Sequence, residues 1–490
     1  MTATSAAPPR DAPNLNLRTR AQMLVAALLA LDRAGITWCA VSGCALDAGQ
    51  VDAPGDPQGN GSVPDEAALR VAFAQLRLDP DDVDLIVSAD QFHDVLRILA
   101  AVPGVAVVRA RAYTATSTSY DLVSFEGNRT PVFLALDVSS EVRAFETVLM
   151  RPQEFLAGRR RLGRFLWVPA PSVQFIFSLL KQLHKAQRLD GAAIDNGHVA
   201  RLSRLYRADP VGCRQQLRRF FSKRMAARIA WFVEHAEWDW LFEQRRVLGA
   251  ELMRARARAY PFGLLRYRVG EWSRWIWRIL RPTGLMVVFL GLDGSGKSTV
   301  IARVLQDLGD VFPSSRCYHQ RPCVLWAGAE DRTVRGPRPM PRRRWLASLV
   351  KLGLWGADYW AGFLWEIFPR LVQSALVPFD RYYYDLLVDP GRYRYGGPPA
   401  AARLLACVLP RPDLVILLDV PPEVSDARRQ DGEFRSAPRL RAAYAALVRS
   451  LPAGHIVDAS QPIDEVVVEV ERAILRFLGQ RTLWRLGGRA

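Results

Sequence analysis

Six apolar residues in a row, LMVVFL at positions 285–290, run directly into GLDGSGKST at 291–299. No other stretch narrows the folding options of this chain as much. A run with no polar face reads as a strand buried on both sides in a parallel sheet. Gly291, Gly294 and Gly296 then free the backbone for a tight loop, and KSTVIARVLQDL resumes with helical periodicity. Strand, glycine-rich loop and helix in that order make a P-loop, in which backbone N–H groups close around a phosphate and the helix start adds its positive end. The candidate nucleotide contacts are Gly291, Asp293, Gly294, Ser295, Gly296, Lys297, Ser298 and Thr299. Lys297 is expected to reach the β- and γ-phosphates and the Ser298 hydroxyl to ligate Mg2+, so ATP and Mg2+ are the expected cofactors.

A P-loop alone does not separate a kinase from a GTPase or a motor. No NKxD-like guanine reader is present. Further apolar strands, SALVPFD, DLVILLDV and HIVDA, alternate with helical stretches, which predicts a doubly wound α/β domain over 284–490. Asp380 and Arg381 fall at the carboxyl end of one such strand, where ligands bind in these sheets. ARRQDGEFR (427–435) clusters Arg428, Arg429 and Arg435 as a candidate lid, whose charges would stabilise a phosphoryl group in transfer while excluding water.

GLDGSGKST, FDRY, PDLVILLDVPPEV, RAAYAAL and IVDASQPIDEV, in that order over about 200 residues, resemble thymidylate kinases. The resemblance implies that Asp293 contacts the acceptor's sugar hydroxyl. It also implies that Asp380 and Arg381 hold Mg2+ and the acceptor phosphate, and that the lid arginines clamp the transferred group. The chain departs from that family at YHQRP (318–322), which keeps only Arg321 as a phosphate contact. It departs again at ADYWAG (357–362), where Tyr359 and Gly362 stand at the family's Arg and His positions. Both changes remove parts of nucleoside recognition and leave phosphate handling intact. Tyr382, Tyr383, Tyr384, Tyr393 and Tyr395 either line an altered acceptor pocket or pack in the core and loops.

Before Pro169 the pattern is α+β with a mixed sheet: a helix ended by Gly35, strands ITWCAVS and DVDLIVS, a helix over ADQFHDVLRILAAV, then strands near 105–110, 116–124 and 131–138. Asp82 and Asp84 lie two apart on one strand face, and Asp137 sits on another strand. Such carboxylates suit two metal ions, a candidate second Mg2+ site. The order Gly43-Cys44 turn, Asp-x-Asp strand, distant Asp resembles polymerase-beta-type nucleotidyltransferases, which makes a nucleotidyltransferase activity a second expectation. Helical periodicity from 169 to 277 predicts a connector, on which Lys181, His184 and Lys185 share one face. The expected domains are a disordered tail (1–17), a nucleotidyltransferase-like domain (18–165), a helical connector (166–283) and the P-loop domain (284–490).

At 490 residues several domains are expected, and the net charge of +17 favours anionic partners. Only Lys181, Lys185, Lys223, Lys297 and Lys351 are lysines, and no basic run interleaves aromatics, so a polyanionic small acceptor is expected and nucleic acid is not. The six cysteines form no CxxC, and the polar N-terminus has no apolar stretch, so a cytoplasmic protein with reduced thiols is expected. The 346–368 segment has spanning length but carries Lys351, Asp358 and Glu366. A helix in the core or at a pocket edge is therefore expected, a membrane contact is not favoured, and a homodimer is left open. The leading reading is a nucleoside-monophosphate kinase. A sugar or glycan-precursor kinase, or a regulatory ATPase with an inert sensing domain, stays open beside it.

Overall fold

The structure, a computed structural model, describes residues 19–41, 83–125, 131–144, 147–162, 166–188, 196–260, 262–309, 311–325, 341–427 and 437–487. Gly43, Cys44, Asp82, Arg428, Arg429 and Arg435 lie outside them, as does the tail. The chain divides into two compact units, Met1–Trp275 with Arg481–Ala490, and Ile276–Gln480.

The first unit opens with the helix Arg20–Arg33, started by Thr19 and Gln22, each side chain bonding the other's backbone N–H. Five strands follow: β1 (Trp38–Ala40), β2 (Asp84–Val87), β3 (Val105–Thr114), β4 (Ser117–Ser124) and β5 (Val132–Ser139). They form a mixed sheet in the order β1-β2-β5-β4-β3, in which only β2 and β5 run parallel. Alternate residues of a strand face opposite sides, and here each side has its own core. Trp38, Ala40, Leu85 and Val87 pack with the first helix, while Cys39, Val41 and Ile86 pack with Phe175, Ile176 and Leu179 of the helix Pro171–Arg188. Helices from Pro171 to Ala259, expected as a connector, thus cover the second face of this sheet.

The helix expected over 89–102 shortens to Val95–Ala100. The reason is a competing set of polar contacts. The Gln91 side chain accepts from Thr37 N at 2.8 Å and donates to Gly35 O at 3.1 Å, and Ser88 donates to Asp90. These bonds hold residues 88–94 in turns. Two hairpins follow, β6 (Val142–Ala144) with β7 (Thr147–Met150) and β8 (Arg160–Leu162) with β9 (Leu166–Val168).

The second unit holds β10 (Leu285–Leu290), β11 (Tyr318–His319), β12 (Leu376–Asp380), β13 (Leu414–Asp419) and β14 (Gly454–Asp458). They form one parallel sheet in the order β11-β12-β10-β13-β14. All six β10 residues are buried, as an unbroken apolar run requires. Neighbours on both sides of β10 end with Asp380 and Asp419, so acidic groups rim the carboxyl edge next to the glycine loop.

The 345–362 helix is neither fully in the core nor a span. One face, with Leu352, Trp355, Gly356 and Tyr359, is buried. Leu346, Val350, Leu354 and Trp360, with Leu364 and Trp365 in the π-helical turn Phe363–Ile367, are exposed. Among the described residues no helix is long and apolar enough to cross a membrane.

Candidate active site

The glycine loop adopts the backbone that its composition demands. Gly291, Gly294 and Gly296 have φ of 147°, 86° and 84°. A side chain at Gly291 would also put a Cβ 2.7 Å from Leu418 O. Lys297 opens the helix Lys297–Asp307 and curls back over the loop, its Nζ donating to Gly291 O at 3.1 Å and Leu292 O at 2.8 Å. Burial, with the Arg381 charge second, lowers its pKa to about 8. Ser298 donates to Asp380 Oδ2 at 2.9 Å. Thr299 is exposed in the same first turn.

Asp380 arrives beside the loop because β12 pairs with β10 in a register that sets Phe289 opposite it. Burial would raise its pKa. The His319 hydrogen bond, the Lys297 charge and the Ser298 hydroxyl together outweigh burial and hold it low. Its Oδ1 is buried without a hydrogen-bond partner.

Arg381 follows with φ of 71°, a left-handed conformation that a non-glycine residue keeps only where its surroundings impose it. Its amide is tied to Phe289 O at 3.0 Å. The guanidinium donates to Asp293 and, at 3.4 Å, to Asp385, a fully buried carboxylate that also accepts the Tyr444 hydroxyl. Arg392 completes the cluster, with Nη1 2.8 Å from Asp293 Oδ2. Burial pushes the Asp293 pKa up, but Arg381 and Arg392 overwhelm that and keep it far below the carboxylate range. Burial likewise opposes the charge on Arg381, and Asp385 and Asp293 more than restore it. Sequence reasoning missed Arg392. It sits 99 residues from the aspartate it meets, in a GRYRYGG stretch that matches no phosphate-binding motif.

The departures at 318–322 and 357–362 turn out to be partners. Tyr359 donates to Gln320 O at 2.5 Å. Asp358, fully buried, accepts from Cys323 N at 3.1 Å and Leu325 N at 3.0 Å and pairs with Arg321 at 3.7 Å. Gly362 leaves room for Pro322, whose Cβ would lie 2.2 Å from any side chain added there. Together these residues fix Arg321 beside Trp355, 5.1 Å from its ring centre. Of the tyrosines, Tyr382 and Tyr383 are core residues, their hydroxyls donating to Pro410 O at 2.5 Å and Ala402 O at 2.8 Å. Tyr384 is buried edge-on to Tyr382, which leaves packing, not ring stacking on a ligand, as their structural role. The lid arginines lie outside the described residues; downstream of them, Arg441 grips both oxygens of Asp419 at 2.6 and 2.8 Å.

In the first unit, Asp84 and Asp137 are register partners on parallel strands. Lys181 approaches Asp84 at 3.6 Å. Burial raises the Asp137 pKa; the Ser119 hydroxyl offsets this in part and the Asp84 charge adds to it. Among the described residues no three His, Cys, Asp or Glu side chains group as metal ligands. Lys185 is exposed, and His184 is half-buried on the same helix.

No family model matches the chain. It is 30% identical over 220 residues to the thymidylate kinase of Xanthomonas campestris pv. campestris (strain B100), covering 41% of this chain and 88% of that protein. It is 32% identical over 204 residues to the probable thymidylate kinase of Pyrobaculum aerophilum, covering 39% and 97%. A solved thymidylate kinase from Ehrlichia chaffeensis aligns at 18% identity and a TM-score of 0.30, over 39% of this chain and 98% of that one. Over about two-fifths of its length, the chain belongs to the thymidylate kinase family.

Proposed function

We propose that the second unit is a kinase that moves the γ-phosphate of ATP onto the phosphate of a nucleoside monophosphate, with thymidylate the first acceptor to test. The observation that carries this reading is convergence. Lys297, the Ser298–Asp380 pair and the Asp293–Arg381 pair meet at the carboxyl ends of adjacent parallel strands. In the transfer, an acceptor phosphate oxygen bonds to the γ-phosphorus, the bond to the β,γ-bridging oxygen breaks, and ADP leaves with that electron pair. Both reactants are anions, so neutralisation and alignment matter more than proton abstraction.

Each residue then has a task. Lys297 exchanges its loop carbonyls for β- and γ-phosphate oxygens. Arg381 takes the acceptor phosphate, Asp293 orients a sugar hydroxyl, and Arg428, Arg429 and Arg435 supply lid charge. The residues fit Mg2+, because the buried, unpartnered Oδ1 of Asp380 is an oxygen ligand ready for a hard cation and Ser298 is bonded beside it. When bound, that ion would neutralise charge on the β- and γ-phosphates.

ADP release by the purified protein with MgATP, with and without dTMP, tests the reading, with Lys297→Ala as the blank. Turnover that needs both Lys297 and dTMP supports it. ATP binding without dTMP-dependent turnover rejects thymidylate and moves the search to sugars and glycan precursors. Slow hydrolysis indifferent to any acceptor favours a regulatory ATPase instead.

A nucleotidyltransferase activity of the first unit is the second reading, favoured by the direct register pairing of Asp84 with Asp137. Transfer of an α-phosphate label from a nucleoside triphosphate, lost in Asp84→Asn, tests it.

A further inference from the structure

Arg392 is the one guanidinium of the cluster that no motif announced. Its side chain is 29% exposed and reaches Asp293 through both terminal nitrogens, at 2.8 and 3.5 Å. Arg381 holds the same carboxylate, so two forked cations share a single monoanion. The loop that delivers Arg392 is firmly tied. Its amide donates to Asp389 Oδ1 at 3.1 Å, Arg394 N to Gly391 O at 3.0 Å and Tyr395 N to Pro390 O at 2.9 Å. Arg343 N donates to Arg394 O at 2.9 Å, and Gly396 N to Ser348 Oγ at 3.0 Å. Between those ties, Tyr393 is buried edge-on against Trp355, ring centres 5.6 Å apart. The backbone thus presents Arg392 at a set place.

We propose that Arg392 and Arg381 together clamp the acceptor's phosphate, and that the Asp293 carboxylate occupies the clamp until the acceptor arrives. The inference rests on the kinase reading above and names how that site selects its substrate. A carboxylate brings one negative charge, whereas a phosphate monoester brings between about 1.5 and 2 and three oxygens, which suits two guanidinium forks better. Asp385 anchors Arg381 from within the core, so Arg381 stays in place when the exchange occurs. Arg392, at the more exposed end, turns from Asp293 to the phosphate. Asp293, released, then accepts from a hydroxyl on the acceptor's sugar. The device favours a phosphorylated acceptor over the same molecule without its phosphate.

Isothermal titration of the full chain with dTMP and with thymidine, for wild type and for Arg392→Gln, reads this directly. The substitution should weaken dTMP binding about 10- to 100-fold, the size expected for a lost charge-assisted contact, and leave thymidine nearly unchanged. Arg392→Lys should recover part of the preference. An unchanged dTMP-to-thymidine ratio in Arg392→Gln overturns the clamp while the kinase reading stands. Equal loss for both ligands with a lowered melting temperature makes Arg392 a structural tie and overturns it too. Wild-type protein that binds neither ligand removes the thymidylate reading and, with it, the clamp for that acceptor.

Discussion

Asp293 meets two guanidinium groups, and Asp380 meets a hydroxyl, an imidazole and the field of Lys297. In the other unit, Lys181 approaches Asp84 at 3.6 Å, and Asp137 lies opposite Asp84 with the Ser119 hydroxyl beside it. The outcome for the protons is opposite. At the glycine loop, opposing charge outweighs burial and both aspartates stay ionised, whereas burial and a like charge push Asp137 toward its neutral form. One site carries its own counter-charges and is organised before any ligand arrives. The other sets two acids in register, and one of them, Asp137, is pushed toward its neutral form by burial and by its neighbour.

That contrast can be broken by measurement. The largest effect expected is from Lys297→Ala, which should cut dTMP-dependent ADP release about 1,000-fold, because a preorganised charge on the transferred group is lost. Turnover within tenfold of wild type would mean that the organised site is not where the chemistry occurs. Asp380→Asn should cost about 100-fold in kcat and raise the Mg2+ concentration needed for half-activity. An unshifted Mg2+ dependence would detach Asp380 from the metal. Tyr359→Phe should leave turnover nearly intact and lower unfolding stability by about 1–3 kcal/mol in chemical denaturation, since the carbonyl of Gln320 loses its buried donor. A selective loss of activity at unchanged stability would return Tyr359 to the acceptor pocket. The smallest effect belongs to Asp84→Asn with Asp137→Asn, expected to leave ADP release within about twofold of wild type, as the kinase residues named above belong to the other unit. A large drop would show that the two units act as one enzyme.

The same contrast explains what could be read in advance. The loop and its helix are contiguous with β10, so strand, glycines, Lys297 and Ser298 are all legible within fifteen residues. Asp380 and Arg381 were legible as a strand end. Arg392 was not, because its meaning lies in a contact 99 residues away. Tyr359 and Gly362 looked like losses. Only the fold shows that Tyr359 bonds the carbonyl of Gln320 and that the missing side chain at 362 is space taken by Pro322. In the first unit the strands are recognisable as short runs rich in apolar and β-branched residues, but a helix over 89–102 is expected where Gln91 is drawn aside by backbone groups of residues 35 and 37. Propensity carries no information about such a partner. Asp82, the Gly43-Cys44 turn and the lid arginines lie outside the described residues.

The curled amine of Lys297 has a consequence for the heat of nucleotide binding. With a pKa near 8 in the free loop, a fraction of the molecules lacks that proton in mildly alkaline solution. Phosphate oxygens favour the charged form, so nucleotide binding raises the pKa and draws a proton from the buffer. Affinity should be flat well below pH 8 and fall by up to about tenfold per pH unit above it, since each unit removes more of the binding-competent cation. At pH 8 the apparent binding enthalpy should differ between Tris and phosphate buffers, whose own protonation heats differ, and Lys297→Ala should abolish the difference. A loop carrying no group that titrates near pH 8 would contribute no such buffer dependence.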